Sequence, residues 1–180
     1  IVFLTADAFG ALPAVARLDE WQAQYYFISG YTAKVAGTEI GVVEPQATFS
    51  ACFGAPFMPR APKVYAELLA RLCREHKVPV WMVNTGWVGG YANGQRFPIP
   101  VSRKILSAIQ NAELDDVVTV KHPVFGFAVP TFIEGIDPQW LQIPEGEAVK
   151  TLADKFIANA KTARIPEAIC DRGGPIVFNA

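Results

Sequence analysis

Neither GxxxxGK[ST] nor GxGxxG, the glycine-rich signatures that cradle phosphates, occurs anywhere in the 180 residues. This excludes a phosphate-binding loop of either kind. Cysteine is scarce: Cys52, Cys73 and Cys170 are odd in number, far apart and without CxxC spacing, which argues against a disulfide framework and a zinc site. They read as reduced, buried thiols. Histidine is scarcer still, and His76 and His122 alone cannot build a histidine-rich metal centre. Neither sign of charge is in excess: 16 Lys/Arg face 17 Asp/Glu, for a formal net charge of -1, and the cations are dispersed. With no basic stripe and no polybasic patch, no nucleic-acid or membrane partner is expected. No apolar run approaches the roughly 18 residues of a membrane span, and no charged n-region precedes an apolar h-region. The expectation is a soluble, cytoplasmic protein. A methionine and a polar lead-in are missing too: the chain opens at Ile1 directly on the strand-like IVFLTA, as a segment of a longer polypeptide would.

What is present is ample core material, with 51% hydrophobic and 18% charged residues in a chain the size of one domain. Its organising stretch is Val80 to Ser102, VWMVNTGWVGGYANGQRFPIPVS. Val80 to Val83 is an unbroken apolar run too short for a helix, which predicts a strand covered on both faces. Gly86, Gly89, Gly90 and Gly94 then supply bare backbone that can press against a ligand. A helix is predicted to open at Ser102, its cap, with Ile105, Leu106 and Ile109 inward. Because Gln95 and Arg96 follow Gly94 where a phosphate loop needs Lys and Ser/Thr, this loop would meet a nucleotide's base or ribose rather than its phosphates. The alternative is a long strand-to-helix connection without a ligand.

Along the chain, Ile1 to Ala6 reads as a strand with Asp7 at its C-terminal end, either a site residue or a turn former. Leu12 to Arg17 reads as a proline-interrupted loop. Asp19 and Gln22 form a capping-box pattern opening a helix to about Ser29, with Trp21, Tyr25 and Ile28 on one face. Thr32 to Phe53 is a long connection, either a mobile lid over a ligand or a plain β-hairpin around Gly41. Pro62 suits the first position of a helix whose Val64, Leu68 and Leu72 recur at helical spacing beside Tyr65 and Leu69. His76 belongs to its last turn, and His122 to a strand edge or turn. Val117 to Val120 and Phe125 to Val129 read as strands, and Glu145 to about Lys161 as the last helix, order ending at Gly173 and Gly174. Strands alternating with helices give an α/β fold class.

Three blocks, IVFLTADAFGALP at 1 to 13, FISGYTAKVAGTEIGVVEPQATFSACFGAPF at 27 to 57, and VNTGWVGG at 83 to 90 with Arg96, resemble the C-terminal part of ATP-dependent phosphoenolpyruvate carboxykinases. The resemblance implies a mixed sheet with flanking helices, the C-terminal portion of that family's nucleotide-binding domain across residues 1–180. It implies a lid at about 30–53, with Lys34, Gly37, Thr38 and Glu39, and an adenine-side loop at about 84–102, with Arg96, Phe97 and Ser102 contacting ATP. The implied reaction, at the start of gluconeogenesis, converts oxaloacetate and ATP to phosphoenolpyruvate, CO2 and ADP with Mg²⁺ on the nucleotide and Mn²⁺ at the protein. The family's P-loop and metal ligands have no counterpart among these residues. The N-terminal remainder of the enzyme is thus an implied partner, and this segment alone would be inactive. Pro98, Pro100 and Ser102 in place of threonine depart from the family pattern. The alternative is a non-enzymatic nucleotide-binding or interaction domain of the same fold.

Overall fold

A computed structural model describes residues 1–35, 41 and 43–176. In chain order its elements are β1 (Val2–Thr5), β2 (Val15–Leu18), α1 (Glu20–Ser29), β3 (Tyr31–Lys34), β4 (Gln46–Phe49), α2 (Pro62–His76), β5 (Val80–Asn84), β6 (Trp87–Val88), β7 (Gln95–Arg96), α3 (Ile99–Gln110), β8 (Thr119–Lys121), β9 (Ala128–Pro130), α4 (Glu147–Thr162) and α5 (Glu167–Gly173). The main sheet has the order β1-β5-β2-β9-β8. β1 runs parallel to β5 and the other neighbours are antiparallel, giving the mixed α/β sheet expected.

The strand period of two divides the core. Val80 and Met82 of β5 turn to one face, joining Phe3, Ala16 and Leu18 beneath α1, α2, α4 and α5. Trp81 and Val83 turn to the other, with Val15, Ile105, Ala108 and Trp140 beneath α3 and the 133–141 segment. All five β5 residues are buried. Removing each large side chain from water is worth about 1.5–3 kcal/mol, which fixes the strand, and therefore the loop that follows it, on a rigid base.

Local signals are met where they are strong. Asp19 accepts from the Trp21 and Gln22 amides while Gln22 Oε1 accepts from the Asp19 amide, completing the capping box. Pro62 opens α2, and α1 ends at Ser29.

Five expectations are corrected. The stretch from Leu12 to Arg17 reads as loop, yet Val15–Leu18 form β2 in the middle of the sheet, where β5 on one side and β9 on the other supply pairing that its own composition does not advertise. In α2 the inward face is Ala66, Leu69, Ala70 and Cys73, whereas Leu68 and Leu72 are 42% and 40% exposed. Small residues on that face let α1 and α2 approach closely, which leaves the bulkier row one step around the helix. α3 starts at Ile99 after Pro98, so Ser102 is its fourth residue and not its cap. Pro98 and Pro100, which depart from the family pattern, sit at the cap and in the first turn, where their missing N–H groups are not needed. Phe125 and Phe127 lie in the turn between β8 and β9 rather than in a strand. The short helix α5, preceded by Pro166, was not expected at all.

His122 organises that turn. It is fully buried, its Nδ1 accepts from the Val124 and Phe125 amides at 3.1 and 3.2 Å, and its own amide donates to Phe127 O at 2.8 Å. Burial lowers its pKa from 6.5 to about 4, with the Pro144 carbonyl acting weakly the other way. The unfolded chain therefore takes up a proton at His122 that the folded one refuses. This stabilisation is complete above pH 6.5 and is lost as the pH falls towards 4, about 3 kcal/mol in all. His122→Asn places an amide oxygen where Nδ1 was and cannot titrate. Urea midpoints of the intact protein followed over this pH window should fall less for the variant than for the wild type; parallel curves would remove His122 from the account.

Candidate functional site

Because β1 and β5 are parallel, their C-terminal ends lie side by side and the 6–14 and 85–98 loops leave the sheet together. This is the edge at which open α/β sheets carry ligand groups. Asp7, fully buried, accepts at Oδ1 from the Phe9 amide (3.1 Å) and the Tyr31 hydroxyl (2.8 Å), and at Oδ2 from the Ala11 (2.6 Å) and Leu12 (3.0 Å) amides. Asn84, also buried, accepts at Oδ1 from the Asp7 and Gly86 amides at 2.9 and 2.8 Å and donates from Nδ2 to Leu12 O at 3.0 Å. Of the two roles open to Asp7, the geometry gives that of turn former, since its oxygens are spent on internal donors. Burial and the adjacent Asp7 charge push the Tyr31 phenol far above its ordinary pKa, so it remains a donor.

The glycines bring backbone against backbone. A Cβ on Gly86 would stand 2.0 Å from Asp7 O, and one on Gly10 would stand 2.3 Å from the Gly90 nitrogen. Bare backbone was expected to press on a ligand, but at Gly10, Gly86 and Gly90 the neighbouring loop occupies that space.

Above this junction β6 and β7 pair antiparallel, with Trp87 opposite Arg96. The Arg96 guanidinium lies 5.0 Å from the centre of the Trp87 ring, and its Nε points to Thr85 O at 3.4 Å. Trp87 is buried against Ala8, Ala33 and Val35, and Arg96 is exposed. The result is a planar cation held on a fixed aromatic plate at the C-terminal end of a buried strand, suited to stacking on a flat, electron-rich ligand. Among the described residues no three His, Cys, Asp or Glu come together to hold a metal ion, and no helix is long and apolar enough to cross a membrane. A hollow of about 860 Å³ lies elsewhere, between α1, α4 and α5. Its lining sets Lys121, Lys161 and Arg172 against Asp19, Glu167 and Asp171, so it offers a phosphate no net attraction.

Residues 1–139 match the family model described as phosphoenolpyruvate carboxykinase. The chain belongs to this family. It is 49% identical over 188 aligned positions to a protein of Geobacillus kaustophilus named phosphoenolpyruvate carboxykinase (ATP), covering 98% of this chain and 35% of that one. A protein of the same name from Azorhizobium caulinodans is 54% identical over 165 positions, covering 91% of this chain and 30% of that one. One from Brucella anthropi is 51% identical over 168 positions, covering 88% of this chain and 31% of that one. The chain therefore spans about a third of the length of these relatives.

Within the carboxykinase frame, the residues expected at the nucleotide do not stay together. Arg96 is presented outward. Phe97 turns the other way, 5% exposed and with its ring 5.9 Å from that of Trp140, and packs in the core. Ser102, half-buried inside α3, donates its amide to Pro98 O. Lys34 ends β3 opposite Gln46, in a β3–β4 pairing that runs from Tyr31 and Phe49 outward. Gly37, Thr38 and Glu39 lie outside the described residues. Asn84, Trp87 and Tyr31 were not singled out beforehand. Asn84 carried a usable signal: an amide ending a wholly apolar strand must find partners when buried.

Proposed function

We propose that this chain is the lid and nucleotide-base side of an ATP-dependent phosphoenolpyruvate carboxykinase that converts oxaloacetate and ATP to phosphoenolpyruvate, CO2 and ADP. In this reading residues 1–180 form the C-terminal part of the mononucleotide-binding domain, with the lid at about 30–53 and the adenine-side loop at about 84–102. The observation that supports it is the exposed Arg96 guanidinium, 5.0 Å from the centre of the Trp87 ring in a segment about half identical to relatives named for ATP. The adenine would stack on the outer face of the guanidinium. Ser102 is left with at most a secondary contact, and Phe97 supports the loop from below.

Among the described residues no three His, Cys, Asp or Glu converge, and in this reading the ligands of Mg²⁺ and Mn²⁺, with the P-loop, are assigned to the N-terminal remainder of the enzyme. The 180-residue segment alone is expected not to turn over, because phosphoryl transfer rests on charge stabilisation around the phosphates. The cytoplasm is its expected compartment.

A base contact remote from the transferring phosphoryl is equally strong in ground and transition states, so it acts on KM and not on kcat. At about 0.5–2 kcal/mol for the stack, Arg96→Ala in the intact enzyme should raise KM for ATP about 2- to 30-fold with kcat little changed. Arg96→Lys should restore only part of this, since an ammonium cannot reproduce the plane. An unchanged KM in Arg96→Ala would sink the assignment.

A further inference from the structure

Asp7 faces two ways. Its side chain holds its own loop through the Phe9, Ala11 and Leu12 amides, and reaches the first residue of β3 through the Tyr31 hydroxyl at 2.8 Å. Its main chain holds the opposite loop, donating its amide to Asn84 Oδ1 at 2.9 Å and accepting the Trp87 amide at 2.8 Å. One buried residue thus grips the β3–β4 hairpin with its carboxylate and the Arg96 platform with its peptide groups.

Neighbouring contacts follow the same path. Thr5 Oγ1 donates to Tyr31 O at 2.9 Å, the Ala33 amide donates to Ala6 O at 3.1 Å, and Trp87 packs against Ala33 and Val35. We propose that Asp7 is a positioning residue that fixes the β3–β4 hairpin and the Trp87–Arg96 platform in one register.

The chemistry suits aspartate in particular. Four donors converge on two oxygens, and an asparagine would turn an NH2 against amides that themselves donate. Of the four, only the phenol belongs to another element. Without it Oδ1 keeps a single donor, the Phe9 amide, and a buried carboxylate that is under-satisfied seeks other partners. The loosening then passes along the Asp7 backbone to Gly86 and Trp87.

A purely local turn former predicts otherwise: losing the phenol would free the hairpin and leave the platform untouched. The proposal deepens the nucleotide reading above and rests on it in only one of two readouts.

Asp7→Asn is a poor probe because it risks the fold. Tyr31→Phe in the intact protein removes one hydroxyl and keeps the ring. Hydrogen exchange should show the Ala33, Gly86 and Trp87 amides opening at least about fivefold faster, while Gly126, bonded to His122 O in the distant turn, keeps its wild-type rate. KM for ATP should rise about threefold or more with kcat within about twofold. Acceleration at Ala33 alone overturns the proposal, and so does equal acceleration at Gly126, which signals general destabilisation. If Gly86 and Trp87 open faster but KM for ATP stays fixed, positioning by Asp7 stands and the nucleotide reading of Arg96 is what fails.

Discussion

Gly86→Ala is expected to leave the intact protein unfolded or insoluble. The added Cβ would lie 2.0 Å from Asp7 O and 2.5 Å from Asp7 N, and both are main-chain atoms in a buried junction rather than the tip of a flexible side chain. Relief would require the two loops to part, which breaks the Trp87 amide bond to Asp7 O and both bonds to Asn84 Oδ1. At about 1 kcal/mol for each bond lost, and about 1–3 kcal/mol for each polar group left buried without a partner, the loss exceeds roughly 4 kcal/mol, much of the stability of an ordinary domain. Gly86 is not at positive φ, so the effect is one of space. Gly41 provides the control: its φ is +84° but a Cβ there meets nothing within 4 Å, and Gly41→Ala should cost only about 1 kcal/mol of backbone strain. A denaturation midpoint for Gly86→Ala close to wild type would show that the junction yields easily and that its bonds do not hold the two loops together.

Phe97→Ala is expected to destabilise the intact protein by about 3–5 kcal/mol, the usual consequence of emptying a buried aromatic site. Phe97 lies in the core beneath α3 with Trp81, Val83, Ile105 and Trp140, and its amide donates to Gly86 O at 2.8 Å. A residue lining the adenine would behave differently, losing affinity while leaving the melt in place. Phe97→Leu separates the two: in the core it should cost about 1–2 kcal/mol and leave KM for ATP unchanged. Raised KM with an unchanged urea midpoint would return Phe97 to the ligand.

Features with a local physical cause were legible in the sequence. An apolar run of strand length gave β5, reciprocal Asp19 and Gln22 gave the start of α1, and Pro62 gave that of α2. β2 was hidden because Val-Ala-Arg-Leu is short and contains a charge; both of its edges are paired by strands distant in sequence, and only those partners make it a strand. Ser102 misled for a related reason. A hydroxyl ahead of an apolar run looks like a cap, but the chain had already turned helical at Ile99.

The site divides along the same line. Glycine spacing announced a close approach at residues 86–94 and could not say to what, because bare backbone serves a neighbouring loop as well as a ligand. Adjacent residues also part company: Arg96 ends β7 exposed, and Phe97, just past the strand, turns into the core. The Arg96 plate itself depends on Trp87 across a two-stranded pairing, a register that no local pattern specifies.

Asp7 and Asn84 stand 77 residues apart in the chain. Joining them closes a long loop, and the chain entropy lost in doing so must be recovered at the few bonds of the junction. The place that presents Arg96 is thus also where the tertiary structure is drawn shut. On the proposed nucleotide reading, affinity and cohesion are coupled there: a substitution that slackens the junction should cost both, and a nucleotide gripping both loops should act as a reversible clasp, adding stability that grows with the logarithm of its concentration over Kd.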